Sequence, residues 1–149
     1  MQLRKMDHTA LVVRDLEQSR RFYGEILGLP EIPRPSNFTF GGCWFQGPDF
    51  QIHLILESDT TAPAGFADAG EAAPKGLAHH IAFEVADLNA TLAHLKAHNI
   101  EIIGGPMPRG DGVIQSYVYD PSGNFLEFFM WDPNSTLQVE ERSAISKSS

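Results

Sequence analysis

Apolar and polar residues alternate in two stretches of the chain that have similar sequences. Residues 8–16 are His-Thr-Ala-Leu-Val-Val-Arg-Asp-Leu, and residues 80–88 are His-Ile-Ala-Phe-Glu-Val-Ala-Asp-Leu. Strict alternation predicts a half-buried strand, and the apolar residues that follow each stretch recur with helical spacing. The chain therefore contains an internal repeat, and each copy begins with a strand that leads into a helix.

Residues at the ends of these elements sharpen the prediction. Asp15 is a favourable N-cap, with Gln18 three residues later as a loose capping box, and Gly28 is a suitable helix stop. Three prolines exclude a central strand over residues 30–37. The pattern predicts a strand at 7–14, a helix from 16 to 27, a hairpin of 38–46 with 50–57, a strand at 78–85, a helix capped by Asp87, and a hairpin of 113–119 with 125–131.

A second pair of matched segments adds to the repeat. Residues 51–57 are Gln-Ile-His-Leu-Ile-Leu-Glu and match residues 125–131, which are Phe-Leu-Glu-Phe-Phe-Met-Trp. Side chains alternate between the two faces of a strand, so each matched strand has one thoroughly apolar face and one face with a single metal-capable residue. Four such faces curled together predict a half-barrel with a metal site on its floor. The four residues are His8, His53, His80 and Glu127.

The cost of burying a carboxylate favours a metal site over four unrelated polar residues. Glu127 shares its strand face with Phe125 and Phe129, and a carboxylate buried there without a partner would be costly. A divalent cation removes that cost, and histidine and carboxylate are common ligands of such ions. The alternative is that these residues lie separately on solvent-exposed faces. Their equivalent positions in the repeat favour the metal site.

Composition narrows the class of protein. The 149 residues include 42% hydrophobic positions and carry a net charge of −8, without the basic runs of a nucleic-acid binder or of a protein held to anionic membranes. No apolar run approaches the roughly 20 residues of a membrane span, and the first residues are not a secretory signal. Cys43 is the only cysteine, so we expect no disulfide and a cytoplasmic location.

The sequence resembles the vicinal oxygen chelate superfamily over about residues 6–131. That superfamily includes glyoxalase I, extradiol dioxygenases, methylmalonyl-CoA epimerase, and fosfomycin- and bleomycin-resistance proteins. The stretch at residues 34–44, Arg-Pro-Ser-Asn-Phe-Thr-Phe-Gly-Gly-Cys-Trp, is most similar to the short lactoylglutathione-lyase-like branch. The other motifs that carry the resemblance lie at residues 8–16, 21–29, 52–55, 80–83 and 120–127.

The resemblance implies an α+β fold of two βαβββ modules that form a half-barrel cleft, with a metal at His8, His80 and Glu127. The second-strand position, usually Glu or Gln when it binds metal, is His53 here. Members of the family often pair modules between chains, so we expect a homodimer. The expected organisation is one domain over residues 1–131, with module one at 6–57, a linker at 58–77, module two at 78–131, and then a polar tail at 132–149.

We expect a metal-dependent enzyme that binds a small substrate through neighbouring oxygens and stabilises an enolate-like intermediate, with lyase or isomerase chemistry like that of glyoxalase I. The resemblance implies that Glu127 can act as base, and it allows a thiol cosubstrate such as glutathione. Zn, Ni, Co and Fe(II) suit the ligands nearly equally. If His53 does not bind the metal, a nonheme Fe(II) dioxygenase assisted by Tyr117 becomes the better interpretation. A non-catalytic ligand-binding protein is the third alternative.

The other candidate residues have ordinary explanations. His79 faces away from His80, and His94 and His98 lie four residues apart on the solvated face of the second predicted helix. Cys43 is typical of a small buried residue rather than a nucleophile. Glu84 is equally suited to a pocket or to a strand end. Gly41-Gly42 forms no phosphate-binding fingerprint.

Overall fold

The computed structural model describes residues 1–65 and 79–135. The chain forms two modules, each a strand, a helix and three more strands, as the repeat predicts. The first contains β1 (His8–Val13), α1 (Leu16–Arg20) continued by a π-helix (Arg21–Ile26), β2 (Glu31–Ile32), β3 (Gly42–Gln46) and β4 (Gln51–Leu56). The second contains β5 (Ile81–Glu84), α2 (Leu88–Ala97), β6 (Gly104–Pro108), β7 (Val113–Tyr119) and β8 (Phe125–Trp131).

Each module builds its own four-stranded mixed sheet, and the two sheets have the same topology. The strand orders are β1-β4-β3-β2 and β5-β8-β7-β6. The first strand of each module pairs in parallel with the last, while β2 with β3, β3 with β4, and β6 with β7 are antiparallel. The predicted α+β class of two βαβββ modules is therefore confirmed. By contacts, the described chain divides into unit 1 (residues 1–65 and 119–125) and unit 2 (residues 79–118 and 126–135).

Both helices begin immediately after the predicted aspartate N-caps. Asp15 Oδ1 accepts a hydrogen bond from the Gln18 backbone N–H at 2.9 Å, and Asp87 Oδ1 accepts one from Ala90 at 2.9 Å. The first backbone N–H groups of a helix have no carbonyl partner within the helix, and each carboxylate accepts a hydrogen bond from one of them. Asp15 and Asp87 thus set the same strand-to-helix geometry in both modules.

One face of each sheet forms a core with its helix. In module one, the faces of β3 and β4 that carry Cys43, Phe45, Ile52 and Leu54 are buried, and Tyr23 packs on Phe45 with 6.2 Å between ring centroids. In module two, the apolar residues of α2 are buried, as are two residues of β8. They are Leu88, Leu92, Leu95, Leu126 and Phe128.

The structure differs from the prediction in four elements, one of which is the unpredicted edge strand β2. The first strand of the hairpin begins at Gly42 rather than at residue 38, the first helix continues as a π-helix, and β6 was not predicted. Gly28 does follow the helix with φ of +76°, in the left-handed region that glycine favours. Most of the predicted linker at 58–77 and of the tail at 132–149 lies outside the described residues. No helix in the described part of the chain is both long and apolar enough to cross a membrane.

Candidate functional site

Two of the four predicted ligands lie together in unit 1. His53 is in the middle of β4, flanked by Ala10 on β1 and Trp44 on β3. The imidazole rings of His8 and His53 are stacked, with centroids 4.1 Å apart and planes inclined by 16°. The Trp44 ring is parallel to His53 at 3.7 Å. Side chains from three neighbouring strands therefore form one layered stack with His53 between the other two.

Hydrogen bonds hold both imidazoles in the stack. His53 Nε2 lies 2.8 Å from Gln51 Oε1, and His8 Nδ1 lies 3.0 Å from Asp7 Oδ2. Burial, with a smaller effect from His8, lowers the pKa of His53 below its ordinary value. The neutral imidazole, which binds metals, is therefore the favoured form of His53 near neutral pH.

The stack has a geometric consequence for metal binding. The lone pair of an imidazole nitrogen lies in the plane of its ring, so an ion bound by two imidazoles has to lie close to both ring planes. Two rings stacked nearly in parallel share no such point. His8 and His53 therefore fit one ion together only after at least one ring has turned out of the stack.

The other two predicted ligands lie together in unit 2. His80 immediately precedes β5, and Glu127 lies on the neighbouring strand β8 opposite Ala82. His80 Nε2 is 3.1 Å from Glu127 Oε2. Only 2% of Glu127 is exposed, so its carboxylate is almost fully removed from water. This is the buried charge that the sequence predicts at this position.

Arg109 is the partner of Glu127 that the sequence did not reveal. Its Nη1 donates a hydrogen bond to Glu127 Oε1 at 2.8 Å, while Nε and Nη2 bind Asp111 at 3.0 and 2.8 Å. These carboxylates, Asp111 first, raise the pKa of Arg109. The guanidinium also lies 4.8 Å from the Phe129 ring centroid. The chain therefore supplies its own cation for the buried carboxylate, whereas the sequence pattern indicated a metal ion alone.

The His80 and Glu127 pair still fits a metal ion. Two ligand atoms at right angles on an ion, with bonds of about 2.0–2.2 Å, are about 3 Å apart. The separation of 3.1 Å between His80 Nε2 and Glu127 Oε2 agrees with that arrangement. Arg109 occupies only the other oxygen, Oε1. In residues 1–65 and 79–135, no group of three or more His, Cys, Asp or Glu side chains is close enough to form a complete ion site.

Tyr117 lies beside this pair. Its ring is perpendicular to that of His80 at a centroid distance of 6.1 Å, and the residue is 3% exposed. Burial, reinforced by Glu127, raises the pKa of Tyr117. The phenol therefore keeps its proton and remains a hydrogen-bond donor over the physiological range.

The residues that the sequence did not assign to the site lie mainly on the surface or in the core. His79, Glu84 and His94 are exposed, and the ring of His98 contacts that of His94 with Nδ1 2.9 Å from the His94 carbonyl oxygen. Cys43 is 2% exposed, and burial raises its pKa to about 11. A thiol that stays protonated at neutral pH is a poor nucleophile.

The sequence matches the Glyoxalase/Bleomycin resistance protein/Dioxygenase superfamily over residues 5–128, and the chain belongs to this family. "Glyoxylase I 4" of Arabidopsis thaliana is 26% identical over 128 residues, covering 85% of this chain and 71% of that protein. "Catechol-2,3-dioxygenase" of Bacillus subtilis (strain 168) is 30% identical over 139 residues, and the match covers 88% of this chain and 43% of that protein. The crystal structure of a glyoxalase/dioxygenase from Nostoc punctiforme is similar, with a TM-score of 0.70, 28% identity, and coverage of 87% of this chain and 92% of that one.

Proposed function

We propose that the chain is a metal-dependent enzyme that binds a small substrate through two neighbouring oxygens and carries out lyase or isomerase chemistry of the glyoxalase I type. The observation that carries the proposal is the contact between the buried carboxylate of Glu127 and the imidazole of His80, with Oε2 and Nε2 3.1 Å apart. Membership of the superfamily and the similarity to a plant glyoxylase I support the reaction class.

We assign the metal to His8, His53, His80 and Glu127, and Zn, Ni, Co and Fe(II) all suit these ligands. A bound divalent ion would supply Lewis-acid stabilisation of negative charge that develops on the substrate oxygens. The assignment rests on the repeat and on the chemistry of the ligands. It requires the rings of His8 and His53 to leave their stacked arrangement.

The remaining residues orient groups and handle protons. Arg109 fixes one oxygen of Glu127, so the carboxylate presents its other oxygen on the side of His80. We assign Glu127 as the base that takes a proton from the substrate and Tyr117, which keeps its proton, as a hydrogen-bond donor to a substrate oxygen. A thiol such as glutathione would act as cosubstrate. The proposal also includes a homodimer in the cytoplasm.

A dioxygenase is the second candidate, and the stack around His53 favours it. Extradiol cleavage needs Fe(II) with three protein ligands and three open positions, two for a catechol and one for O₂. If His53 stays between Trp44 and His8 with its Nε2 on Gln51, three predicted ligands remain, two histidines and one glutamate. His53 would then act beside the metal as an acid or base.

Both candidate functions require a bound metal ion, and metal uptake by the purified protein tests this requirement. We expect about one divalent ion per chain after dialysis against Zn²⁺ or Fe²⁺, and at least about tenfold weaker binding in His80→Ala and Glu127→Ala. His94→Ala is the matched control on an exposed histidine and should bind as wild type does. Wild-type protein that takes up no transition metal would rule the proposal out. Activity assays then separate the two reactions. Turnover of the hemithioacetal of methylglyoxal and glutathione would indicate the glyoxalase reaction, and cleavage of catechol with O₂ would indicate the dioxygenase.

A further inference from the structure

Arg34 carries a positive charge for which the described part of the chain offers no carboxylate partner. Its guanidinium carbon lies 5.3 Å from the ring centroid of Phe40 and 6.0 Å from that of Phe38. The Nη1 atom is buried and has no hydrogen-bond partner among the described residues. A buried donor without an acceptor is costly, so an acceptor that arrives with a ligand would be bound favourably.

A continuous series of aromatic contacts joins Arg34 to the histidine pair of unit 1. Phe38 lies 5.0 Å from Phe40 and 5.6 Å from Trp44, where it meets the indole edge to face. Trp44 is stacked on His53, which is stacked on His8. We call Arg34, Phe38, Phe40 and Trp44 the arginine–aromatic cluster. It extends from the imidazoles to a guanidinium over a surface made largely of flat rings.

Gly42, the first residue of β3, makes room for this cluster. A Cβ atom on Gly42 would lie 3.0 Å from Arg34 Nη1 and 2.3 Å from the Leu54 carbonyl oxygen, so only glycine allows both neighbours to approach. Phe40 is 46% exposed, and therefore the cluster is accessible at that end. The motif at residues 34–44 thus has a structural meaning, since its arginine, Gly42 and its aromatic residues meet at one place.

We propose that the arginine–aromatic cluster is a substrate subsite that takes a carboxylate on a ligand with a flat apolar body. The guanidinium would bind the carboxylate, for which its planar donors are well suited, while Phe38, Phe40 and Trp44 would contact the apolar part. In a chain with a net charge of −8, an arginine without a carboxylate partner in the described residues is a specific attraction for an anion. The further statement that the ligand's other end reaches His8 and His53 rests on the proposed function.

Binding to metal-free protein tests the subsite independently of the reaction. The chain has two tryptophans, so Trp131→Phe leaves Trp44 as the only indole and its fluorescence reports on the cluster. The probes are 4-phenylbutyrate, its neutral amide 4-phenylbutanamide, and butyrate, all added in the presence of EDTA. We expect the acid to bind at least about tenfold more tightly than the amide, because a hydrogen bond to a charged group is worth about that factor. Butyrate, which lacks the ring, should bind more weakly than 4-phenylbutyrate.

Three substitutions at arginines complete the experiment. Arg34→Gln should remove the preference for acid over amide, Arg34→Lys should restore part of it, and Arg21→Gln, on an exposed arginine of the same unit, should leave it unchanged. Equal binding of acid and amide by the Trp131→Phe protein would overturn the proposal, as would an unchanged preference in folded Arg34→Gln. If Arg34→Gln does not fold, the proposal is tested by the preference of Arg34→Lys and by the comparison of acid and amide binding to the Trp131→Phe protein. Because EDTA is present, failure of metal uptake leaves this result interpretable.

Discussion

One oxygen of Glu127 is bound by Arg109, and this contact makes the arginine a central residue of the candidate site. The carboxylate is 2% exposed and the arginine side chain 25% exposed, so solvent does little to screen the charge on Glu127. Removal of one member of a buried ion pair leaves the other uncompensated, which is more costly than the loss of the contact itself. Without the Arg109 guanidinium, the charge on Glu127 could be balanced only by a cation from outside the chain.

We therefore expect Arg109→Met to lower the free energy of unfolding by about 3 kcal/mol in urea titrations. Arg109→Lys keeps the positive charge, so its free energy of unfolding should fall by less. Asp111→Asn, on the exposed side of the same arginine, should change stability by less than about 1 kcal/mol. Added Zn²⁺ should stabilise Arg109→Met more than wild type, because the ion would supply the missing positive charge. Wild-type stability in Arg109→Met would contradict this account of Glu127.

Cys43 gives a prediction about pH. Burial raises the pKa of its thiol to about 11, whereas an unfolded thiol has a pKa of about 8.5. Above pH 8.5 the unfolded state loses its proton first and is stabilised, so the free energy of unfolding should fall as the pH rises from about 8.5 towards 11. Cys43→Ala should show a smaller fall over the same range in urea titrations. Parallel pH profiles for the two proteins would show that the thiol is not shielded in the folded state.

At the scale of elements, the sequence predicted those that carry their own local signals. Alternation and a turn rich in Pro, Ser, Gly and Asn predicted β7 and β8 with the observed bounds, and Asp15 and Asp87 cap the helices as expected. β6 was missed because Gly104–Pro108 contains two glycines and two prolines and has no apolar alternation. Its pairing with β7 comes from the sheet rather than from its own residues.

The π-helix has a similar explanation. Its Leu27 N–H donates to the Phe22 carbonyl oxygen at 2.9 Å, and Phe22, Tyr23 and Ile26 are all buried. A wider helical turn follows from the tertiary packing of these side chains, which no spacing rule in the sequence contains.

The candidate site was predictable only where the repeat applies. The repeat identified His8 with His80 and His53 with Glu127, but the structure brings His8 to His53 and His80 to Glu127. These contacts join neighbouring parallel strands within one module. Arg109 escaped prediction because it lies between β6 and β7 in the sequence Arg-Gly-Asp-Gly, which has no counterpart in the repeat. A buried acid calls for a cation, but that rule does not say which residue provides it.

At the scale of the whole molecule, the turn between β7 and β8 connects the two compact units. Residues 119–125 belong to unit 1, while the rest of the two strands belongs to unit 2. Asp120, which is 4% exposed, holds the turn there. Its Oδ2 accepts hydrogen bonds from the Tyr23 hydroxyl and from Asn124 Nδ2, both at 2.8 Å, and its Oδ1 accepts from the backbone N–H groups of Ser122 and Asn124.

This connection predicts that the two units unfold together, which is the behaviour expected if residues 1–131 form one domain. Trp44 lies in unit 1 and Trp131 in unit 2, so Trp131→Phe and Trp44→Phe each leave one fluorescent probe. We expect each probe to report the same urea midpoint as circular dichroism of the same variant. A single cooperative unit exposes both probes in one transition.

Asp120→Asn should weaken this coupling. The amide that replaces Oδ2 is a donor that faces the Asn124 Nδ2 donor, and the charge that strengthens the other contacts is lost. We expect a loss of at least about 3 kcal/mol, because a hydrogen bond to a charged group contributes about 1.5–3 kcal/mol and the abandoned donors stay buried. The Trp44 midpoint should fall further than the Trp131 midpoint, since the broken contacts lie in unit 1. Asp132→Asn, at an exposed turn outside this network, is the control and should leave both midpoints in place. If Asp120→Asn moves neither midpoint, the turn does not couple the units, and the one-domain prediction loses this support.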